Sequence, residues 1–578
     1  MENDTSKRHY PPAQQGLRGS HPGSFDTAHL LRDGTRWSDG RDTGEFYDLI
    51  VVGGGLSGLA SAWFYHQKRP KARILILENH DDFGGHARRN EFHIGDRMLL
   101  TNGGTINIEN YNAYGEGARY LFESIGVDPT RYEEFHDDDV YRGLEAGMFF
   151  NKERYGEDLL VKGAGRRPWA EFFADAPLSD QARDDLARLF DSNEDYLAAL
   201  NVEEKSHRLR QMSYEEFLRD IVGICDEAIS VLEQDSYWAI GNDCLSAWAA
   251  TADGSPGTRG LGLRKPRKDS VYFQFPDGNA SIARMLVRDL NPIVAVGNTM
   301  EDIVSAQFNY EKLDDPDAQV RIRLSSTVTN VRHEGDPESA ETVSVSYIHG
   351  GERFRVRASN VVLACYHSII PHICSDLPEW QSKALALSLK GTLIYANVAV
   401  RNWQPFKNLG VNRIDCPGSY FSALRLQNPI SMGDYQHARS PAEPNVINLF
   451  HTPRGPGNTP QEQWKNGRET MLDASLEDYE REIRQQLARI LGPAGFDVEK
   501  DILGITVNRW AHGYAYSQNP ETGEIAYLLD EVSEDYAPWI AGRQAHGRMV
   551  FANSDAAAIA MTEEAIGEAH RAVSELVP

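Results

Sequence analysis

The chain opens polar. Residues 1–44 show no recurrent apolar spacing and are rich in Gly, Pro and His, which predicts an arm, disordered or draped over the body. The pattern changes at YDLIVVGGG (47–55), a Val/Ile run ending in glycines, which predicts a short buried strand meeting a turn. Leu56, Leu59, Ala60, Trp63 and Phe64 then recur at helical spacing, and ARILILEN (72–79) is a second apolar run. Together they predict a βαβ unit. From 116 to 270 the pattern is mostly helical, with a Ser-x-x-Glu capping box at Ser213. DGNASIARMLVRDL (277–290) is an amphipathic helix entered from a turn. Strands are predicted at 320–333, 342–350, 354–366 and 392–400, a loop at 438–460 and a charged helix at about 473–491. The tail from Gly547 predicts a strand, a small-residue turn and a final helix.

A length of 578 residues exceeds one ordinary domain, and 41% hydrophobic with 25% charged residues is a usual globular balance, so two intertwined domains are expected. The longest uncharged run, 49–65, is short for a bilayer span and holds four glycines, and reads as βα core rather than membrane helix. No secretory apolar region or twin arginine occurs in MENDTSKRHYPPAQQGLRG, so the expected location is the cytoplasm. Five widely spaced cysteines without CxxC, CxxCH or His/Cys ligand spacing argue against a disulfide framework, a structural metal or c-type haem. A formal net charge of −26 repels nucleic acid and anionic membrane and would attract a polycation.

The run 47–63 contains Gly53-x-Gly55-x-x-Gly58 between strand and helix. Alone such a motif is weak, and the run could be a packing unit. Here a second strand follows at the right distance and ends in Glu78, 20 residues after Gly58. The glycines permit the tight turn, the backbone approach to a pyrophosphate and the close helix packing, while the acid accepts from a ribose hydroxyl and disfavours a 2′-phosphate. Gly84-Gly85 and Arg88 follow in DDFGGHARRNEF, and Gly103-Gly104 in LLTNGGTIN. A second and third glycine pair suit the long FAD molecule better than NAD.

These residues carry a resemblance. GxGxxG, Glu78, GGHARR, NGGTI and VFANSDAAA before a terminal helix resemble the flavin-containing amine oxidase superfamily. Within it, YPPAQQGLRGSHPGSF, NHDDFGGHARRNEF, FQFPDGNASIARMLVRDL, LACYHSIIPHICSDLPE and VNRWAHGYAYSQNP are similar to the spermidine dehydrogenase family. The resemblance implies an α/β, bilobal fold, with a Rossmann-type FAD domain and an inserted α+β substrate domain. It implies an FAD domain built from 45–115, 271–366 and 501–578, a substrate domain from 116–270 and 367–500, and an arm over 1–44. By the same carry-over Val328 meets the adenine end, Asp555 lies near the ribityl-pyrophosphate region, and Thr562 starts a helix aimed at the flavin pyrimidine. No cysteine or histidine lies in a recognisable attachment motif, so FAD is expected to be non-covalent.

The implied chemistry is oxidation of an amine, such as the polyamine spermidine, by hydride transfer to flavin N5, giving an imine that hydrolyses to an aldehyde. An oxidase or desaturase for another amine or a natural-product intermediate is the alternative. The resemblance puts an aromatic cage at Trp510, Tyr514 and Tyr516. The two tyrosines stand two apart and would share a face on a strand. The bland reading is a β core with aromatics, and His512 reads as packed rather than as a base. Many amine oxidases hold a lysine beside N5, and aligning GTLIYANVAVRNW with that pattern puts Tyr395 there and Lys390 off register. A missing cation leans toward a dehydrogenase, with the electron acceptor unidentified. Acids in EEFHDDDVY (133–141) would meet distal ammonium groups at a cleft rim, although such runs are more often solvated loops. Such enzymes have been linked with haem, for which His21 could be a ligand; a lone histidine in an arm is more often solvated, so haem is not the favoured expectation. The family commonly carries an export signal, which this sequence lacks as written. Homo-oligomerisation is left open.

Overall fold

The computed structural model describes residues 10–233, 239–264, 270–518, 524–526 and 537–577. Two large sheets organise them. The first runs in the order Val320–Arg323, β3 (Ile74–Leu77), β2 (Arg41–Val52), Glu352–Leu363, Val343–His349, Ser326–His333, with Met549–Phe551 also pairing parallel to Glu352–Leu363. Its parallel half is covered on both faces, so β2 and β3 read as continuous Val/Ile/Leu runs rather than alternating ones. Helix α2 (Leu56–Lys68) joins them and is buried all round from Leu56 to Tyr65, packed against the C-terminal helix Thr562–Leu576 and the helix Ala280–Leu290. Gly58 makes this packing feasible: a Cβ there would stand 1.9 Å from the Gly53 carbonyl oxygen.

The single strand expected over 320–333 is two. The chain turns at Ser325, a left-handed residue with φ 49°, so that Val320–Arg323 stays parallel to β3 while Ser326–His333 leaves to pair antiparallel with Val343–His349. The Ser326 amide bonds the Glu78 carbonyl at 2.8 Å, which seats Ser326 to Val328 beside the end of β3.

The second sheet has eight strands in the order β1 (Gly16–Gly19), Ile502–Trp510, Leu393–Val400, Asn445–His451, Ala423–Leu426, Val411–Asp415, Glu145–Phe150, Leu159–Ala164. This order bears on two expected boundaries. Residues 502–510 belong to this sheet rather than with the parallel one, because they pair with both β1 and Leu393–Val400. The arm is partly built in as well, contributing β1, a helix α1 (Asp26–Arg32) and the first residues of β2. A hairpin, Arg89–Ile94 with Arg97–Asn102, stands between the sheets and is tied to the eight-stranded one by buried amides: Asn508 and Asn397 both donate to the Asn90 side chain at 2.8 Å. Among the described residues no helix is long and apolar enough to cross a membrane.

Candidate active site

A cavity of about 710 Å³ is lined from both sheets. Gly53, Gly55, Leu56 and Ser57 enter it where β2 turns into α2. Gly53 has φ 107°, and a Cβ would lie 2.8 Å from the Ala364 carbonyl oxygen. Helix α2 begins at Gly55 with no capping side chain, so its first-turn N–H groups are turned toward the cavity without a side-chain acceptor. Gly84 and Gly85 stack on this turn; the Gly84 amide bonds the Gly54 carbonyl at 2.8 Å, and a Cβ on Gly85 would meet Gly55 Cα at 3.0 Å. Glu78 and Val328 complete this region. Glu78 Oε2 accepts from the Gly54 amide at 2.6 Å, and Oε1 accepts from the His80 amide at 2.8 Å. Burial alone would raise its pKa, but the bonds from His80 outweigh burial and hold the carboxyl below its ordinary range.

The other region of the cavity is aromatic. Tyr395, Trp510 and Tyr514 all line it, with Gly104, Thr105 and Leu393. The Trp510 indole donates to the Gly103 carbonyl at 2.8 Å and packs on His86 with ring centroids 4.7 Å apart. Gly104 fits under both: a Cβ there would stand 2.2 Å from the His86 carbonyl oxygen and 3.1 Å from Trp510 Nε1. The C-terminal helix also starts without a capping side chain, and Met561, Thr562 and Glu563 line the cavity at that start. The hydroxyl of Thr562 accepts from the Asn279 side chain at 2.9 Å, which leaves its helix end free to face inward. Asn553, another lining residue, is held at φ 93° with its amide bonded to Ser57 Oγ at 2.8 Å. A non-glycine residue in that region costs about 1–3 kcal/mol and persists where its surroundings over-determine it.

Five expected site residues do not line the cavity; one of them, Gly58, sits where α2 packs against the Gly53 carbonyl. Asp555 does not face the cavity: it is buried against Lys390, whose ammonium bonds Oδ1, and Oδ2 accepts from the His367 amide at 2.9 Å. Tyr516 stacks on Trp464, centroids 4.8 Å apart, and also stays out of the cavity. The strand begins at Ala515, so the alternation that would pair Tyr516 with Tyr514 does not apply. Arg88 is 2% exposed and lies behind the glycine pairs, donating to the Asp82 carbonyl at 3.0 Å with its guanidinium 5.9 Å from the Trp510 ring centre. Gly103 sits behind Gly104, where a Cβ would be 2.8 Å from Asn508 Oδ1.

The acidic run is also off the site. Glu134 pairs with Arg131 at 2.8 Å, Asp139 pairs with Arg142, and none of the run lines the cavity. The carboxylates that do are Glu78, Glu109 and Glu563. Burial pushes Glu563 up to about 7, with the charge of Glu564 adding to it. Glu563 reads in sequence only as an acid in a helix's first turn, and Glu109 carries no signal at all. Two histidines of the cavity are held neutral. Burial and then the nearby Lys390 charge push His86 down to about 3, and burial with the Arg468 and Lys390 charges drives His512 well below the ordinary value. His512 lines the cavity and packs on Tyr366 at 5.1 Å rather than being enclosed in a core.

His21 does not line the cavity; its Nδ1 lies 2.9 Å from the Pro22 carbonyl. Among the described residues, the grouping with metal-ligand spacing is His333, Asp376 and His546, outside the cavity. His333 Nε2 accepts from the Arg548 amide at 3.0 Å while Nδ1 bonds Asp376 at 2.7 Å, so both ring nitrogens are already used by the protein.

Comparison with known proteins agrees with this geometry. A model of an NAD(P)-binding Rossmann-like domain matches residues 51–121. Oxidoreductase PigB of Serratia sp. is 34% identical over 86 residues, a match spanning 15% of this chain and 11% of that protein. Among solved structures, putrescine oxidase bound to putrescine is similar over 92% of this chain and 99% of its own, at 16% identity and a TM-score of 0.52. Cyclohexylamine oxidase from Brevibacterium oxydans IH-35A is similar over 92% and 98%, at 16% identity and a TM-score of 0.50. The α/β fold, with a Rossmann-type domain on the parallel sheet, is shared with these putrescine and cyclohexylamine oxidases.

Proposed function

We propose that the protein is an FAD-dependent amine oxidoreductase, acting as a dehydrogenase on a di- or polyamine such as spermidine. The observation that carries this reading is one cavity receiving two uncapped helix starts, those of α2 and of the C-terminal helix, with stacked glycine turns and an aromatic wall. The first start suits a pyrophosphate, and the second suits the flavin pyrimidine, where reduction places negative charge. Glu78 would hold the adenosine ribose, and Val328 the adenine edge. Gly84 and Gly85 would let backbone approach the pyrophosphate, and Gly104 the ring system. The bound flavin would supply the hydride acceptor for the carbon next to the amine nitrogen. Tyr395, Trp510 and Tyr514 would orient the substrate carbon and exclude water. His86 and His512, both neutral, would add no charge of their own beside the reacting nitrogen.

Glu109 and Glu563 are the carboxylates that a second, protonated nitrogen would meet, which supports a substrate with two or more amines. The lean toward a dehydrogenase rests on the described residues around the cavity. They include no lysine, and Lys390 is consumed by Asp555. Anaerobic addition of spermidine or putrescine to the purified protein, followed in the visible spectrum, tests the reading. The expected result is a flavin spectrum that bleaches with these amines, and acid should release the cofactor intact. A flavin spectrum that no amine bleaches would remove the enzymatic reading.

A further inference from the structure

The arm is fastened to the body on both sides of the cavity. Strand β1 runs parallel to 502–510, with Gly16 to Gly19 in register with Thr506 to Arg509. Gly19 has φ 67°, and a Cβ there would be 2.3 Å from the Arg509 carbonyl oxygen, so only glycine allows that approach. Past it, the Ser20 amide bonds the Arg509 carbonyl at 2.7 Å, and Arg509 Nε returns a bond to the Ser20 carbonyl at 2.8 Å. The other side is held by the loop after Glu78. Arg18, 5% exposed, forks onto Asp81 at 2.8 and 3.0 Å, and Asn79 donates to the Ser24 carbonyl at 2.6 Å. Although burial works against it, Arg18 holds the Asp81 carboxyl down at about 2, so the pair stays ionised across the working pH range.

Past these ties the arm forms a wall of the cavity. Ser24, Phe25, Ala28, His29 and Arg32 line the same space as Gly53, Gly55 and Glu78. Helix α1 touches Ser326–His333 of the parallel sheet, and the arm's strand belongs to the other sheet, so the segment bridges the two lobes across the site. We infer that residues 18–32 are a strap over the dinucleotide, which enters and leaves only when the strap lifts. The strap rests on the FAD reading above, and it adds that retention is set by the Arg18–Asp81 tie rather than by cavity contacts alone.

The test is the release rate of FAD from the holoprotein, read as the rise of free-flavin fluorescence after dilution. Arg18→Ala and Asp81→Asn should each speed release roughly tenfold to a hundredfold, the range for losing a charge-assisted bidentate contact. Arg18→Lys should recover part of the loss. The melting temperature of the FAD-free protein should change little. A second measurement needs no variant: trypsin should cut wild type after Arg32 or Arg36 faster without FAD than with it. Folded variants that release FAD at the wild-type rate, or cleavage indifferent to FAD, would overturn the strap while leaving the cofactor assignment standing. Wild-type protein that neither carries nor takes up flavin would overturn the cofactor reading and the strap with it.

Discussion

Replacing Glu78 by alanine should weaken FAD binding by an amount that the local geometry bounds. A carboxylate offers about four lone-pair positions. Three are engaged by the protein: Oε2 by the Gly54 amide at 2.6 Å, and Oε1 by the His80 amide at 2.8 Å and His80 Nδ1 at 3.0 Å. The remaining position on Oε2 is available for a ribose hydroxyl. A hydrogen bond to a charged group contributes about 1.5–3 kcal/mol, so its loss should raise the dissociation constant roughly tenfold to 150-fold. Alanine also releases the Gly54 amide, so loosening of the turn could mimic loss of the ribose contact. Titration with 2′-deoxyadenosine-containing FAD separates the two. Wild type should bind the deoxy analogue more weakly than FAD, and Glu78→Ala should not discriminate between them. Glutamine will not rescue, because its NH₂ must face either the Gly54 or the His80 donor. A Glu78→Ala dissociation constant within about threefold of wild type, or a wild type indifferent to the deoxy analogue, would refute the assignment.

Two further outcomes are expected. Glu563 stands at about 7 in the folded protein against an ordinary 4.5, so between these values the folded state keeps a proton that the unfolded state releases. Stability from this group is therefore fully present below about pH 4.5 and is lost as pH rises to 7 and beyond, by about 3 kcal/mol in all. FAD-free Glu563→Gln should consequently melt above wild type at pH 8 and level with it at pH 4; equal melting at both pH values would mean that folding does not raise Glu563 above its ordinary value. Tyr395→Lys should speed reoxidation of the photoreduced protein by air, measured by stopped flow, by placing a cation in a cavity whose described lining holds no lysine; a wild type that already reoxidises at the speed of a competent oxidase would replace the dehydrogenase reading with the oxidase one.

What could be read in the sequence was local. The unit from Tyr47 to Glu78 writes its constraints within about thirty residues, because the turn, the helix approach and the ribose acid are consecutive events in one βαβ segment. Gly53, Gly55, Glu78, Gly84, Gly85, Gly104, Val328 and Thr562 line one cavity. Some residues whose surroundings depend on a distant partner stand off that cavity. Asp555 was expected by the resemblance near the cofactor, but the ammonium of Lys390, far off in the chain, takes its charge. Tyr516 was read by an alternation that holds only inside a strand, and the strand starts one residue after Tyr514. The acidic run 133–141 reads more readily as a solvated loop than as a cation-binding rim, and two of its acids pair with Arg131 and Arg142 just outside the stretch.

The arm shows the same limit from the other direction. Its sequence has no apolar period because β1 buries little of its own and is held by backbone pairing with a strand near the opposite end of the chain. Such pairing needs glycine and hydrogen-bonding groups, not a hydrophobic stripe, so a polar Gly-rich segment reads as loose whether or not it is docked. The docking matters for the chemistry because a flavin site works only when water is kept out and the cofactor stays. Neither sheet lines the cavity alone: the parallel sheet contributes the glycine turns and Glu78, the eight-stranded sheet Tyr395 and Trp510, and α1 adds Ala28, His29 and Arg32. On the proposed reading, binding and reaction fall to different lobes, and the segment that joins them is the one whose sequence says least.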